Sequence, residues 1–108
     1  MKLIIAVVQD KDSNRLRNEF IKANIGATRL STSGGFLKSG NTTYMVGIAD
    51  DRVQEVLDII HETSRTRQQF MTPQVNLDAE DTTASYPVEV QVGGATVFVM
   101  PVDQFHQF

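Results

Sequence analysis

The sequence contains no cysteine, no tryptophan, only three prolines and only two histidines in 108 residues. Without cysteine there is no disulfide framework, no thiolate zinc site and no thiol nucleophile. The histidines, His61 and His106, form no His-x-x-x-His pair, and no Asp-rich stretch has EF-hand spacing. No metal is therefore expected. Positive charge is also in short supply: 10 Lys+Arg against 13 Asp+Glu, a net charge of −3. That excludes the concentrated basic face of a protein that binds nucleic-acid polymers. It leaves open a small anionic ligand, because backbone amides bind phosphate without net positive charge. Long hydrophobic runs are missing too. The apolar stretch Leu3 to Val8 is six residues long, too short to span a membrane, and no small-residue cleavage site follows it. The expectation is a soluble, cytoplasmic protein with no membrane partner.

What the sequence does have is enough chain for one domain, 1–108. Area scaling has a chain of this length burying about two-thirds of its extended surface. Residues 2–9 are almost unbroken apolar, which predicts a central strand covered on both faces. Capping residues Asp10 to Ser13 lead into a helix carrying Leu16, Phe20 and Ile21, ended by Asn24 and Gly26. Ala27–Ser33 and Thr42–Ile48 read as strands around a loop with three glycines, Gly34, Gly35 and Gly40. Asp50 or Asp51 is expected to cap a second helix with Val53, Val56, Leu57 and Ile60 on one face. Residues 65–85 show no period and read as a long loop. Val88–Val92 and Ala95–Val102 then read as a hairpin closed by Gly93-Gly94. The order βαββα, long loop, ββ predicts an α+β, ferredoxin-like βαββαβ fold with an added strand. Two helices cover one sheet face only. The other face is expected to pack against further copies in a closed symmetric oligomer.

Catalytic patterns are scarce. No Gly-x-Ser-x-Gly elbow, Walker A loop or Gly-x-Gly-x-x-Gly occurs. A small enzyme of the acylphosphatase kind needs an arginine-bearing phosphate loop after the first strand, and Gln9-Asp10-Lys11-Asp12 is not one. His61 reads as a partly exposed helix residue and His106 as a packed tail residue. The acids Asp78, Glu80 and Asp81 read as a solvated run. The glycine-rich segment is the sharper signal. A flexible turn explains Gly34-Gly35 but not Phe36-Leu37 at an exposed tip. An aromatic beside amide-rich backbone suits a ligand with a flat ring and an anionic group, such as a nucleotide. Asn24, Thr28 and Asn41 could read an adenine edge, although such residues at element ends also serve as caps.

Several stretches together resemble one family. They are Thr32-Ser33-Gly34-Gly35-Phe36-Leu37-Lys38-Ser39-Gly40-Asn41-Thr42-Thr43, then Tyr86-Pro87-Val88-Glu89-Val90 and Val92-Gly93-Gly94-Ala95-Thr96-Val97-Phe98-Val99, and the ending Phe105-His106-Gln107-Phe108. With Ile4 to Asp10 and Asp50-Asp51-Arg52-Val53, they are similar to the PII-like cyclic di-AMP receptors of the PstA (DarA) type. The resemblance implies a PII-like homotrimer without catalysis. Cyclic di-AMP would bind as ligand between subunits, no cofactor would be used, and the loops would respond to binding and be read by a downstream protein. It implies ligand contacts at Asn24, Thr28, Gly35, Phe36, Leu37, Asn41 and Gly47, with Phe98 and Gln107 contributed by the neighbouring subunit. The family often has arginine where this chain has Gly26, which removes a charge-assisted hydrogen bond of about 1.5–3 kcal/mol. The alternatives are a PII-like module for another nucleotide such as ATP, and a ligand-free interaction scaffold.

Overall fold

The computed structural model describes residues 1–30, 40–71 and 88–108. The elements run β1 (Lys2–Gln9), α1 (Asp10–Lys22), β2 (Thr28–Leu30), β3 (Asn41–Ile48), α2 (Val53–Ser64), β4 (Arg67–Met71), β5 (Val88–Val92) and β6 (Ala95–Pro101). Four strands form one sheet in the order β2-β3-β1-β6, with every neighbouring pair antiparallel. This is the ferredoxin-like, split-βαβ arrangement expected of a PII-like fold. Among the described residues no helix is long and apolar enough to cross a membrane.

The core follows from two periods meeting. On β1 alternate residues Ile4, Ala6 and Val8 are buried, and on β3 Tyr44 and Val46 lie beside them in register. Leu16 and Phe20 from α1, and Val56 and Ile60 from α2, close over that face. Phe20 meets Tyr44 edge-on at 6.3 Å and 84°, a contact worth about 0.5–1.5 kcal/mol beyond burial. The Tyr44 hydroxyl reaches the core's edge and donates to the Ser13 carbonyl at 3.1 Å, so no buried donor is left there.

Helix α1 stops where the residues predict. Asn24 takes a left-handed φ of 57°. Its N–H donates to the Ile21 carbonyl at 3.1 Å, and the Ile25 N–H donates to the Phe20 carbonyl at 2.8 Å. That pair of bonds is a Schellman stop, with buried Ile25 and Phe20 as its apolar pair. Gly26 has no positive φ and plays no part in it. At α2 the expected aspartate cap is replaced by a short 3₁₀ turn, Asp50–Arg52, from which the helix continues. No side chain caps it; Arg52 instead donates to the Ala23 carbonyl at 2.9 Å and pairs with Glu55 at 3.0 Å.

Two sequence expectations need correction. Residues 65–85 are not simply a long loop, because Arg67–Met71 forms β4 and pairs with β5 in a separate two-stranded sheet. The expected β5–β6 hairpin does not form either. Gly93-Gly94 joins the strands, but β5 turns to β4 and β6 to β1. The face of β1 turned away from the helices carries Leu3, Ile5 and Val7, partly exposed in the single chain, and is the one expected to pack against further copies.

The β1–α1 corner ties these parts together. The Asp10 N–H donates to the Gly40 carbonyl at 2.9 Å, and its carboxylate accepts from the Thr42 hydroxyl. The Gln9 amide oxygen accepts the Gly93 N–H at 2.8 Å. The buried Asp12 carboxylate pairs with Arg67 at 2.7 Å, and this bond pushes the guanidinium pKa up.

Candidate functional site

Antiparallel register places directly opposite residues on the same face of a sheet. The face turned away from the helices therefore carries three rows. The first is Gly47, Leu3 and Met100; the second is Thr28, Met45, Ile5 and Phe98; the third is Leu30, Thr43, Val7 and Thr96. Asn41, opposite Gln9, begins a fourth. Apart from the threonines, the glycine and this last row, the face is apolar, and Phe98 is 55% exposed.

At the β2 end of this face lies a cavity of about 350 Å³, lined among others by Leu3, Gly26, Thr28, Met45, Gly47 and Phe105. Its shape comes from where β2 begins. Thr28 pairs with Met45, and the ladder does not continue toward the β3 end. Extending that register by two would set Gly26 opposite Gly47. Neither glycine has a positive φ, and a Cβ built on either meets nothing within 4 Å. Two residues without side chains thus edge the same gap, and among the described residues the β3 backbone from Val46 to Ile48 has no strand partner on that side. Among the described residues no Asp, Glu, His, Lys or Arg side chain lines the cavity. Its chemistry is apolar contact, one threonine hydroxyl and open peptide groups, which suits binding a flat ring. Among the described residues no cluster of three or more Asp, Glu or His side chains could hold a metal ion.

The structure brings some of the expected site residues together. Thr28 and Gly47 line the same cavity. Phe98 shares their face, three strand spacings from Thr28, about 14 Å. Asn41 is also on this face but six residues along β3 from Gly47, about 20 Å away. One chain therefore does not place both against the same ring. Asn24 sits at the α1 stop, and Gln107 is exposed in the tail. Gly35, Phe36 and Leu37 lie outside the described residues, as do Asp78, Glu80 and Asp81.

His61 is the exposed helix residue that the sequence suggests, whereas His106, expected to be packed, is exposed. His61 lies beside Glu62, and His106 stacks on Phe108 at 5.9 Å. Leu3, Met45 and Phe105 line the cavity without having been expected there. The alternation of Leu3, Ile5 and Val7 with the buried set carried a signal for the first of these. Phe105 carried none, because nothing in a tail sequence says which surface it crosses.

A family model described as cyclic-di-AMP receptor matches residues 1–108. The chain is also similar to a functionally unknown protein from Pediococcus pentosaceus whose crystal structure is solved. The identity is 58%, the match covers 99% of this chain and 96% of that one, and the TM-score is 0.80.

Proposed function

This chain belongs to the cyclic-di-AMP receptor family, and on that premise we propose that it is a non-catalytic signal-transduction protein binding cyclic di-AMP in clefts between the subunits of a homotrimer. The observation that carries this reading is the glycine-edged cavity beside an uncovered apolar sheet face. Glycine inside a strand weakens it and marks a site where a ligand or another backbone comes close. Among the described residues nothing in conformation or packing requires Gly47 to be glycine. The apolar face beside it is larger than isolated exposed side chains would make, and such faces mark interaction surfaces. A closed ring of identical chains covers it and sets each cavity against a neighbour's surface. Asn41 and Phe98, too far from Gly47 within one chain, then serve a ligand with two separate adenines.

The cavity also bears on which nucleotide is bound. Among the described residues no basic side chain lines it, and the ammonium of Met1, which does line it, is already paired with Asp50 at 2.8 Å. A triphosphate such as ATP concentrates negative charge that would go uncompensated there, whereas each phosphate of a cyclic dinucleotide carries one charge. Gly35, Phe36 and Leu37 are proposed to wrap the ligand, so that binding favours one loop arrangement over another. A downstream protein would read that arrangement.

Calorimetric titration with cyclic di-AMP, repeated in excess ATP, tests the reading alongside sedimentation. The expected result is saturable binding that ATP does not displace, on a particle of trimer mass. A monomer that gives no heat with cyclic di-AMP overturns it.

A further inference from the structure

Resting on the receptor reading above, we infer that Phe105 is this chain's own stacking wall for the purine held in the Gly26–Gly47 cavity. Of the aromatic side chains among the described residues, Phe105 is the one that lines that cavity. It is 62% exposed, so the fold does not need it for its core. It follows closely on a tied stretch: β6 pairs through Pro101 with Lys2, and the Val102 N–H donates to the Met1 carbonyl at 3.3 Å. Three residues beyond that tie, the ring lines the same cavity as Gly26 and Gly47.

The chemistry of the surroundings is that of a slot for a flat heteroaromatic ring. Leu3 and Met45 offer apolar contact, Thr28 offers one hydroxyl, and the open β3 edge from Val46 to Ile48 offers peptide N–H and C=O groups. A neighbouring donor and acceptor on a backbone edge match the donor–acceptor edge of adenine. What such a slot needs in addition is a π face, and Phe105 supplies it. Stacking contributes affinity whichever base is present, while the peptide edge discriminates between bases. The C-terminal segment thus binds ligand in its own protomer, apart from any contact that Gln107 makes to a neighbour's site.

Three variants test this by calorimetry and sedimentation on the full chain with cyclic di-AMP as probe. Phe105→Ala is expected to weaken binding about tenfold or more, the effect of losing one stacked base, with melting temperature and trimer mass unchanged. Phe105→Leu, apolar but without a π face, should recover only part of that loss. Phe105→Trp should bind like the parent and give the only indole emission in the chain, which has no tryptophan. That emission should change on titration with the same midpoint as the heat. Unchanged affinity in Phe105→Ala, or an indole emission in Phe105→Trp that is indifferent to bound ligand, overturns the inference and leaves the receptor reading standing. If the parent protein itself gives no heat, the receptor reading fails, and this inference with it.

Discussion

Gly47 and Gly93 are both glycines at strand edges, yet they answer to different demands. A Cβ on Gly47 meets nothing within 4 Å and its φ is ordinary. Gly47→Ala should therefore leave the melting temperature unchanged or slightly raised, since alanine costs a strand less entropy than glycine. In the receptor reading it should weaken cyclic di-AMP binding, because the new methyl fills the gap; calorimetry beside thermal melting separates the two effects. Gly93 has φ +82°, and a Cβ there would stand 2.5 Å from the Arg65 carbonyl oxygen and 2.7 Å from the Arg67 guanidinium. Gly93→Ala should cost about 1–3 kcal/mol in urea unfolding, with ligand affinity unaltered in the folded fraction. Asn24 has two roles to separate. Its left-handed φ makes Asn24→Gly close to neutral for stability, whereas Asn24→Ala should cost about 1 kcal/mol. If Asn24 also touches ligand, the glycine variant loses affinity while keeping its melting temperature, and equal affinity removes it from the site.

Among the elements, the second sheet is held to the first by few ties, and the Asp12–Arg67 pair is the principal ionic one among the described residues. Asp12 is almost wholly buried while Arg67 is about one-third exposed. Removing the arginine leaves a desolvated carboxylate without its partner. Arg67→Met should therefore destabilise by about 1–3 kcal/mol, discounted for the exposed half of the pair. The double variant Asp12→Asn with Arg67→Met should recover part of this, because neither charge then remains. Urea unfolding of the three variants measures the coupling, and strict additivity would show that the pair contributes nothing of its own. This sheet is also where the sequence was hardest to read. Central strands β1 and β3 and helix α2 announce themselves through apolar period and length. β4, Arg67-Gln68-Gln69-Phe70-Met71, does not: it has one sheet partner, little to bury, and an exposed Phe70. Its pairing is set by β5, far along the chain, which local pattern cannot register. For the same reason Gly93-Gly94 looked like a hairpin turn. Two glycines say that the chain bends, not which strand each arm joins.

For the whole molecule, the question is what covers the sheet's second face. The unbroken apolar run of β1 already implied two covers, and a single chain provides one. Ile5 sits mid-face between Met45 and Phe98, half-exposed and outside the core. Ile5→Glu should leave the helix-covered core intact, with native far-ultraviolet dichroism, while sedimentation reports a monomer that no longer binds cyclic di-AMP. An unchanged trimer with unchanged binding would mean that this face is not where the copies meet. Of the nine contacts expected, Thr28 and Gly47 converge on one cavity within a single chain. The partners of Asn41 were not legible, because its distance from Gly47 becomes meaningful only once chains are combined. The corner at Gln9, Asp10 and Asp12 adds one consequence of its own. It pegs Gly40, Arg67 and Gly93 to a single short stretch of backbone. Whatever length of chain is spliced in between 31 and 39, or between 72 and 87, its exit is already moored, and the added closure entropy grows only with the logarithm of that length.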